Sequence, residues 1–315
     1  MKSLNITFTL GLLAIAAVAM APNRAVAQEN NGAVFVMTNA ANNNRVNAYI
    51  RQDDGTLEFA GAFATGGNGS GGTVDPLHSQ GSLTLSDDHR LLFAVNAGSG
   101  TVSSFAVRGA QLFLLDTEPT GGSSPTSVTQ AGDLVYVLNS GGNGNVSGFR
   151  ILGNGHLLPI EKSTRNLSGT DTKPSDVVLS PNRQFLVVAE TATNNIDVFR
   201  VYPDGRLSDV VANPSAGATP FAAAFAPNGA LVVANASNTV SSYSIRWNQS
   251  LSTISGDLPT DGLATWECDS ARRPFSLYGQ RHVFEPVRLR DQGERFPCSD
   301  RRYRRQLEPC RQHQY

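Results

Sequence analysis

Short runs of alternating apolar and polar residues recur through the central part of the chain. Each copy has two such runs joined by small polar residues, which is typical of a β-hairpin. LLFAVNAGSGTVSSFAV at 91–107 aligns with LVYVLNSGGNGNVSGFRI at 134–151, FLVVAETATNNIDVFRV at 185–201 and LVVANASNTVSSYSI at 231–245. A first copy, VFVMTNAANNNRVNAYI, occupies 34–50. The pattern predicts a β-sheet module that occurs five times.

The spacing of the copies fits the blade of a β-propeller. An aromatic residue of the second run marks the period, at Tyr49, Phe105, Phe149, Phe199 and Tyr243. The steps between them are 56, 44, 50 and 44 residues, and a further short apolar strand, such as SDVVLSPN, precedes most copies. Turn dipeptides lie between the runs, at Asp54-Gly55, Asn154-Gly155, Asp204-Gly205 and Asn228-Gly229. Four strands in about 45 residues predict an all-β fold, a β-propeller of four-stranded blades.

The first copy is incomplete. It begins at the second strand of the module and lacks the short strand that precedes the other copies. Propellers often complete the first blade with a strand from the other end of the chain, and ring closure removes exposed strand edges. Residues 28–263 are therefore predicted to form an incomplete ring of about five blades.

Residues 1–27 have the composition of an export signal. Lys2 supplies a positive charge, the apolar run FTLGLLAIAAVAMA follows, and Ala25 and Ala27 place small residues before a cleavage site. The run is short for a membrane span, and a retained membrane anchor is the alternative interpretation. We expect a mature protein that is periplasmic or extracellular, with no membrane contact.

The composition changes after about residue 263. Residues 28–263 hold 12 basic and 19 acidic residues, a net charge of −7, whereas residues 264–315 hold 11 Arg and 7 acidic residues, a net charge of +4. All three cysteines lie in that last segment. An Arg-rich segment is one candidate for binding nucleic acid, and cysteines for a disulfide or a metal site. Because the Arg residues alternate with acids and prolines, and because the cysteine spacings match no metal template, we expect neither.

A shifted reading frame explains this segment better. Read one base to the right, residues 266–282 can encode GSAIPPDGRLVYTANAT, which resembles AAFAPNGALVVANAS of the last copy. We therefore expect residues 264–315 to be an out-of-frame, disordered tail that replaces a sixth blade.

The repeats resemble a known family. SDVVLSPNRQFLVVAETATNNIDVFRV and SGFRILGNGHLLPI are similar to the seven-bladed β-propeller lactonases, which include 6-phosphogluconolactonase and carboxymuconate-lactonizing enzymes. The resemblance covers residues 32–262, although LVVANASNTVSSYSI is also similar to YVTN-type surface-protein repeats. It implies a ring of seven blades, and hydrolysis or formation of the lactone of a sugar acid or a dicarboxylate.

The resemblance also implies a site residue in blade four. Glu190 occupies the position of the family's glutamate, whereas the other copies carry asparagine there, at Asn39, Asn96, Asn139 and Asn235. A carboxylate at this place suits a general base. The alternative is an acidic turn residue that caps neighbouring backbone amides.

Other residues of the family's site are altered. The family's Arg-His segment has become Lys173-Pro174-Ser175-Asp176, and its His-rich segment before blade three has become Ser124-Pro125-Thr126-Ser127. A guanidinium that would bind a carboxylate or phosphate in a bidentate manner is therefore missing. Lys173 or Asp176 can assist Glu190, and His78 in DPLHSQ is either at the channel mouth or an exposed loop residue.

Two function classes remain. One is a secreted lactone hydrolase with catalytic residues Glu190, Lys173, Asp176 and His78. The other is a non-catalytic propeller that binds a ligand, glycan or protein. No Asp or His cluster has metal-ligand spacing, so the sequence predicts neither a metal nor a cofactor. The expected partner is a small-molecule lactone or another ligand, without nucleic acid.

Overall fold

The computed structural model describes residues 32–72 and 77–260, together with the backbone of two later strands at 264–270 and 273–279. The described residues form antiparallel sheets joined by turns, so the predicted all-β propeller architecture is confirmed. In this part of the chain no helix has the length and apolar character needed to cross a membrane.

The sheets follow one another along the chain as blades. Blade 1 contains β1 (Ala33–Met37), β2 (Arg45–Arg51) and β3 (Leu57–Ala64). Blade 2 contains β4 (Leu83–Leu85), β5 (Leu91–Asn96), β6 (Thr101–Arg108) and β7 (Gln111–Pro119). Blade 3 contains β8 (Pro125–Ala131), β9 (Leu134–Asn139), β10 (Asn145–Ile151), β11 (Leu157–Pro159) and β12 (Arg165–Asn166). Its fourth strand is divided, because β11 and β12 both pair with β10.

Blades 4 and 5 have four strands each. Blade 4 contains β13 (Pro174–Leu179), β14 (Phe185–Glu190), β15 (Asn195–Arg200) and β16 (Val211–Pro214). Blade 5 contains β17 (Pro220–Phe225), β18 (Leu231–Asn235), β19 (Thr239–Ile245) and β20 (Leu251–Pro259). The first strand of each complete blade lies beside the first strand of the next, from β4 through β8 and β13 to β17. These inner strands define the channel side of the arc.

Blade 1 is incomplete among the described residues, as the sequence predicts. Within the described residues its sheet has the order β1-β2-β3, and β1 corresponds to the second strand of the other blades. The edge of β1 that an inner strand would pair with has no strand on it in this part of the chain.

The core forms between blades, because each strand has two apolar faces. On β14, Leu186 and Val188 belong to the cluster shared with blade 3, whereas Phe185 and Val187 belong to the cluster shared with blade 5. This alternation is the two-residue period of a strand that is buried on both faces. It explains why the second strands read as nearly continuous apolar runs.

The predicted turns are confirmed in their backbone geometry. Gly55, Gly155, Gly205 and Gly229 have φ of 85°, 83°, 82° and 85°. Each donates its amide hydrogen to the carbonyl oxygen three residues earlier. A positive φ is accessible to glycine at little cost, which explains the Asp-Gly and Asn-Gly dipeptides.

The segment after residue 263 contains strands, although the sequence predicted a disordered tail there. The chain forms an antiparallel hairpin of β21 (Ala264–Ser270) and β22 (Arg273–Gly279), and β21 lies beside β17. Backbone pairing does not need an alternating pattern, and Trp266, Phe275 and Tyr278 have high strand propensity. The export signal and residues 280–315 lie outside the described residues, so those predictions are not addressed by the fold.

Candidate functional site

A repeated polar cluster lies at the end of the second strand of each complete blade. In blades 2 and 5 a fully buried asparagine donates to a serine on the third strand: Asn96 to Ser103 at 2.8 Å and Asn235 to Ser241 at 3.2 Å. In blade 3 the equivalent residue, Asn139, bonds instead to neighbouring residues such as Asn145. The cluster satisfies buried polar groups at the end where the chain crosses to the next blade.

A glycine from the preceding inter-blade loop packs against this asparagine. A Cβ atom added at Gly67, Gly122 or Gly217 would come within 2.1–2.6 Å of the side chain of Asn96, Asn139 or Asn235. The three blades therefore share one arrangement of glycine and asparagine. Only a residue without a side chain leaves room for the buried amide.

Blade 4 replaces each polar member of this cluster. Glu190 takes the place of the asparagine, and Asp197 on β15 takes the place of the serine. Ser168, in the loop before blade 4, occupies the position of Gly66, Gly121 and Ala216 in the other loops. Both carboxyl groups are buried, with 0% exposure, and no equivalent pair occurs in the other described blades.

Ser168 and Thr193 hold the two carboxyl groups in place. The backbone N–H of Ser168 donates to Glu190 Oε1 at 3.3 Å and to Asp197 Oδ2 at 2.8 Å. The hydroxyl groups of Ser168 and Thr193 both donate to Glu190 Oε2, at 3.0 and 2.5 Å. Both donor residues are half-buried, so they are partly accessible to solvent whereas the two carboxyl groups are not.

The two carboxyl groups interact directly. Burial, with the hydrogen bond and the negative charge of Glu190, raises the pKa of Asp197 to about 8, although donation from Ser168 opposes the shift. Asp197 Oδ1 is buried and accepts no hydrogen bond among the described residues. Two buried carboxylates at contact distance cannot both ionise without a large cost, so the pair holds one proton near neutral pH.

Asp176 lies in a different place, among the inner strands. Its Oδ2 accepts the backbone N–H of Ala223 on β17 at 2.9 Å, and its Oδ1 accepts the hydroxyl of Ser127 on β8 at 3.2 Å. It thereby connects three blades. Burial raises its pKa to about 7, against the effect of these donors. These bonds make Asp176 a residue that ties inner strands together.

Lys173 and His78 are exposed. Lys173 lies directly before β13, and its carbonyl oxygen accepts the backbone and side-chain donors of Thr191, the residue after Glu190. The ring of His78 contacts the ring of Phe221 edge to face, with 5.2 Å between centroids. The segment around His78 also reaches blade 4, because the amide of Gln80 donates to the carbonyl of Ser175. Both residues therefore lie at the end of the inner strands where Glu190 is buried.

The predicted residues thus occupy one end of the arc without forming one cluster. The described contacts join Glu190 to Asp197 and Ser168, which the sequence reasoning missed. Aligned repeats contain the signal, since Asp197 follows the register of Ser103, Ser147 and Ser241. Among the described residues, no group of three His, Cys, Asp or Glu side chains is arranged to hold a metal ion.

Comparison with known proteins supports the architecture. Residues 159–262 match the family model described as "Lactonase, 7-bladed beta-propeller". This range contains the end of blade 3 and all of blades 4 and 5, including the carboxyl pair. The predicted resemblance to this family is confirmed. No curated protein matches the chain.

Solved propellers have similar backbones. A protein from Lactobacillus plantarum is 16% identical, with a TM-score of 0.59 over 82% of this chain and 81% of that one. A periplasmic gluconolactonase from Pseudomonas aeruginosa is 21% identical, with a TM-score of 0.53 over 73% of this chain and 68% of that one. At these identities the likeness establishes the fold alone.

Proposed function

Because residues 159–262 match the seven-bladed propeller lactonases, we propose that the chain hydrolyses the lactone of a sugar acid or a dicarboxylate, with the Glu190–Asp197 pair as its acid–base group. The observation that carries the proposal is the replacement of the repeat's Asn and Ser by two buried carboxyl groups. A structural cluster has no need of this change, because the other blades are satisfied by neutral groups.

The chemistry of lactone hydrolysis suits a pair that holds one proton. Water attacks the carbonyl carbon and loses a proton, the bond from that carbon to the ring oxygen breaks, and the ring oxygen gains a proton. The ionised member of the pair accepts the first proton, and the protonated member supplies the second. A pKa raised to about 8 keeps Asp197 protonated at neutral pH, so we assign Asp197 the role of the acid and Glu190 the role of the base.

Access to the pair runs through hydroxyl groups. Both carboxyl groups are fully buried, so neither contacts solvent directly. Ser168 donates its hydroxyl to Glu190 Oε2 and is itself half-buried. In this proposal Ser168 transfers the proton between the attacking water and Glu190.

The exposed residues near the pair have binding roles in this proposal. Lys173 attracts the anionic group of the substrate as a point charge, in the absence of the family's arginine. His78 contributes an edge of the binding surface against Phe221. Asp176 keeps the inner strands in register. The predicted export signal places this activity outside the cytoplasm.

A non-catalytic binding propeller is the second candidate. The full burial of Glu190 and the loss of the family's arginine and histidine favour it. In that case the carboxyl pair is a polar core element that has diverged in one blade.

One assay separates the two candidates. The full chain and its Glu190→Gln variant are tested on six-carbon sugar lactones by following acid release, with spontaneous hydrolysis subtracted. An Asn139→Asp variant is the matched control, because it changes the equivalent residue one blade earlier. Turnover that is lost in Glu190→Gln and kept in Asn139→Asp supports the proposal. Equal turnover in the full chain and in Glu190→Gln removes Glu190 from the mechanism. No turnover by the unaltered protein on any lactone favours the binding module.

A further inference from the structure

A positively charged cavity lies between blades 3 and 4, away from the carboxyl pair. It has a volume of about 290 Å³ and is lined by Lys162, Arg165, Tyr202, Arg206 and Leu207. Small-molecule sites typically start at about 300 Å³, so its size suits a single sugar-sized ligand. It shares no lining residue with the cluster around Glu190.

The charge of this cavity contrasts with its surroundings. Residues 28–263 carry a net charge of −7, from 12 basic and 19 acidic residues, yet three of those 12 cations line this one cavity. Within the described residues, the structure shows no carboxylate within ion-pair distance of Lys162. This amine is a point charge available to an anion.

Arg165 is fixed in position but incompletely satisfied. One terminal nitrogen donates to the carbonyl oxygens of Lys162 and Thr164, both at 3.0 Å, which ties the guanidinium to its own loop. Its Nε is buried and makes no hydrogen bond within the described residues. Asp209 Oδ1 lies 4.0 Å from it, but the Asp209 side chain is fully exposed and screened by water. The Arg165 side chain is 32% exposed, and its other terminal nitrogen makes no hydrogen bond within the described residues, so the guanidinium keeps a donor for an anion in the cavity.

The other wall of the cavity adds a third cation and a ring. Arg206 bonds to Asp204 at 2.6 Å, which neutralises part of its charge. Tyr202 is 40% exposed and has the Arg200 guanidinium 5.5 Å from its ring centroid. An exposed ring beside cations provides an apolar surface for the body of a ligand whose charged group faces the cations.

We propose that this cavity binds a sugar-sized organic anion through its phosphate or carboxylate group. The second terminal nitrogen of Arg165 and Lys162 Nζ hold the oxyanion, and Tyr202 packs against the rest of the ligand. The site is independent of lactone hydrolysis, and nothing in its composition suggests catalysis.

Calorimetric titration tests the proposal on the full chain. The probes are inorganic phosphate, gluconate and glucose 6-phosphate, with glucose as the neutral comparison. We expect at least one of the anions to bind and glucose not to bind. Lys162→Met and Arg165→Gln should each weaken binding about tenfold, the loss expected for one charge-assisted contact. Arg246→Gln, which removes an exposed arginine in the corresponding turn of blade 5, should leave the affinity unchanged.

The outcomes are distinguishable. Binding of phosphate alone assigns the site to the oxyanion, and tighter glucose 6-phosphate or gluconate binding assigns a contribution to the sugar. Lys162→Met keeps the test valid if Arg165→Gln fails to fold, because the Lys162 side chain is exposed. No binding by any anion, or binding that is equal in Lys162→Met and Arg246→Gln, overturns the proposal.

Discussion

Glu190 and Asp197 accept hydrogen bonds from one and the same amide, the backbone N–H of Ser168, at 3.3 and 2.8 Å. This amide and the two hydroxyl groups on Glu190 do not compensate two buried negative charges, so the pair retains a proton that the unfolded chain releases. The other complete blades avoid this problem with neutral groups at the same places. The carboxyl pair therefore has a measurable effect on stability, whatever its role in catalysis.

We expect the free energy of unfolding to fall as the pH rises from about 5 to 8. The pKa of Asp197 is about 8 in the folded protein and has its ordinary value of 3.8 in the unfolded chain. The stabilising contribution of this protonated group is fully present below 3.8 and is lost as the pH rises through 8. One such proton changes the unfolding free energy by at most about 1.4 kcal/mol per pH unit. Urea unfolding at four pH values measures the slope.

Variants assign this slope to the pair. Asp197→Ser introduces the residue that Ser103 and Ser241 provide in other blades, so we expect a shallower pH dependence. Asp209→Ser removes an exposed carboxylate and should leave the slope as it is. If Asp197→Ser and the parent lose stability equally between pH 5 and 8, the carboxyl pair does not hold the proton.

Asp176→Asn should stabilise the protein at pH 8 and have little effect at pH 5. Burial raises the pKa of Asp176 to about 7, so its protonated form stabilises the fold at low pH and that contribution is lost as the pH rises through 7. An amide stays neutral, and it can still accept from Ala223 and donate to Ser127. Melting temperatures at the two pH values test this, with Asp209→Asn as the exposed control. A loss of stability at pH 8 would show that the ionised carboxylate is the native form.

Gly122→Ala should destabilise the protein, and Gly169→Ala should not. A Cβ at Gly122 would lie 2.6 Å from the buried side chain of Asn139, whereas a Cβ at Gly169 would find its nearest neighbour, Thr172, at 3.7 Å. Overpacking of this kind typically costs about 1–3 kcal/mol. The two positions are equivalent in the repeat, so chemical denaturation of both variants compares one substitution in two environments. Equal losses would mean that blade 4 has the same packing as blade 3.

Much of the fold could be predicted because the repeat carries its own evidence. The apolar runs, the Asn-Gly and Asp-Gly turns and the missing strand of blade 1 all follow from local patterns that occur several times. The division of the fourth strand in blade 3 could not be predicted. It depends on which hydrogen-bond partners the backbone N–H and C=O groups between β11 and β12 have. The hairpin after residue 263 could not be predicted either. Its sequence does not alternate, and its strands form through backbone pairing with each other.

The site was only partly predictable. Glu190 is conspicuous because it breaks a column of asparagines, and a carboxylate is chemically unlike an amide. Ser168 and Asp197 stand beside it through pairing between strands and loops, which residue spacing does not specify. The environment of Asp176 was equally hidden, since its partners lie on β8 and β17, 49 and 47 residues away. Long-range contacts decide which polar residues meet.

Ser168→Ala should slow lactone hydrolysis while leaving the fold intact, and this expectation rests on the proposed function. Alanine is tolerated at the equivalent position in blade 5, where Ala216 occurs, and the shared amide of residue 168 is retained. The variant loses the hydroxyl that donates to Glu190 Oε2. General acid–base groups contribute about 10²–10⁴-fold to rates, so a loss of at least tenfold is expected.

The pH dependence distinguishes this role from a structural one. The Ser168 hydroxyl lowers the pKa of Asp197, so without this hydroxyl Asp197 releases its proton at higher pH. Because protonated Asp197 is the acid of the pair in this proposal, the falling limb of the rate against pH should move to higher pH in Ser168→Ala. Ser237→Ala, which removes an exposed hydroxyl in a turn of blade 5, should change neither the rate nor the profile. A parental rate and an unshifted profile in Ser168→Ala would exclude Ser168 from proton transfer and leave Thr193 as the other hydroxyl on Glu190 Oε2.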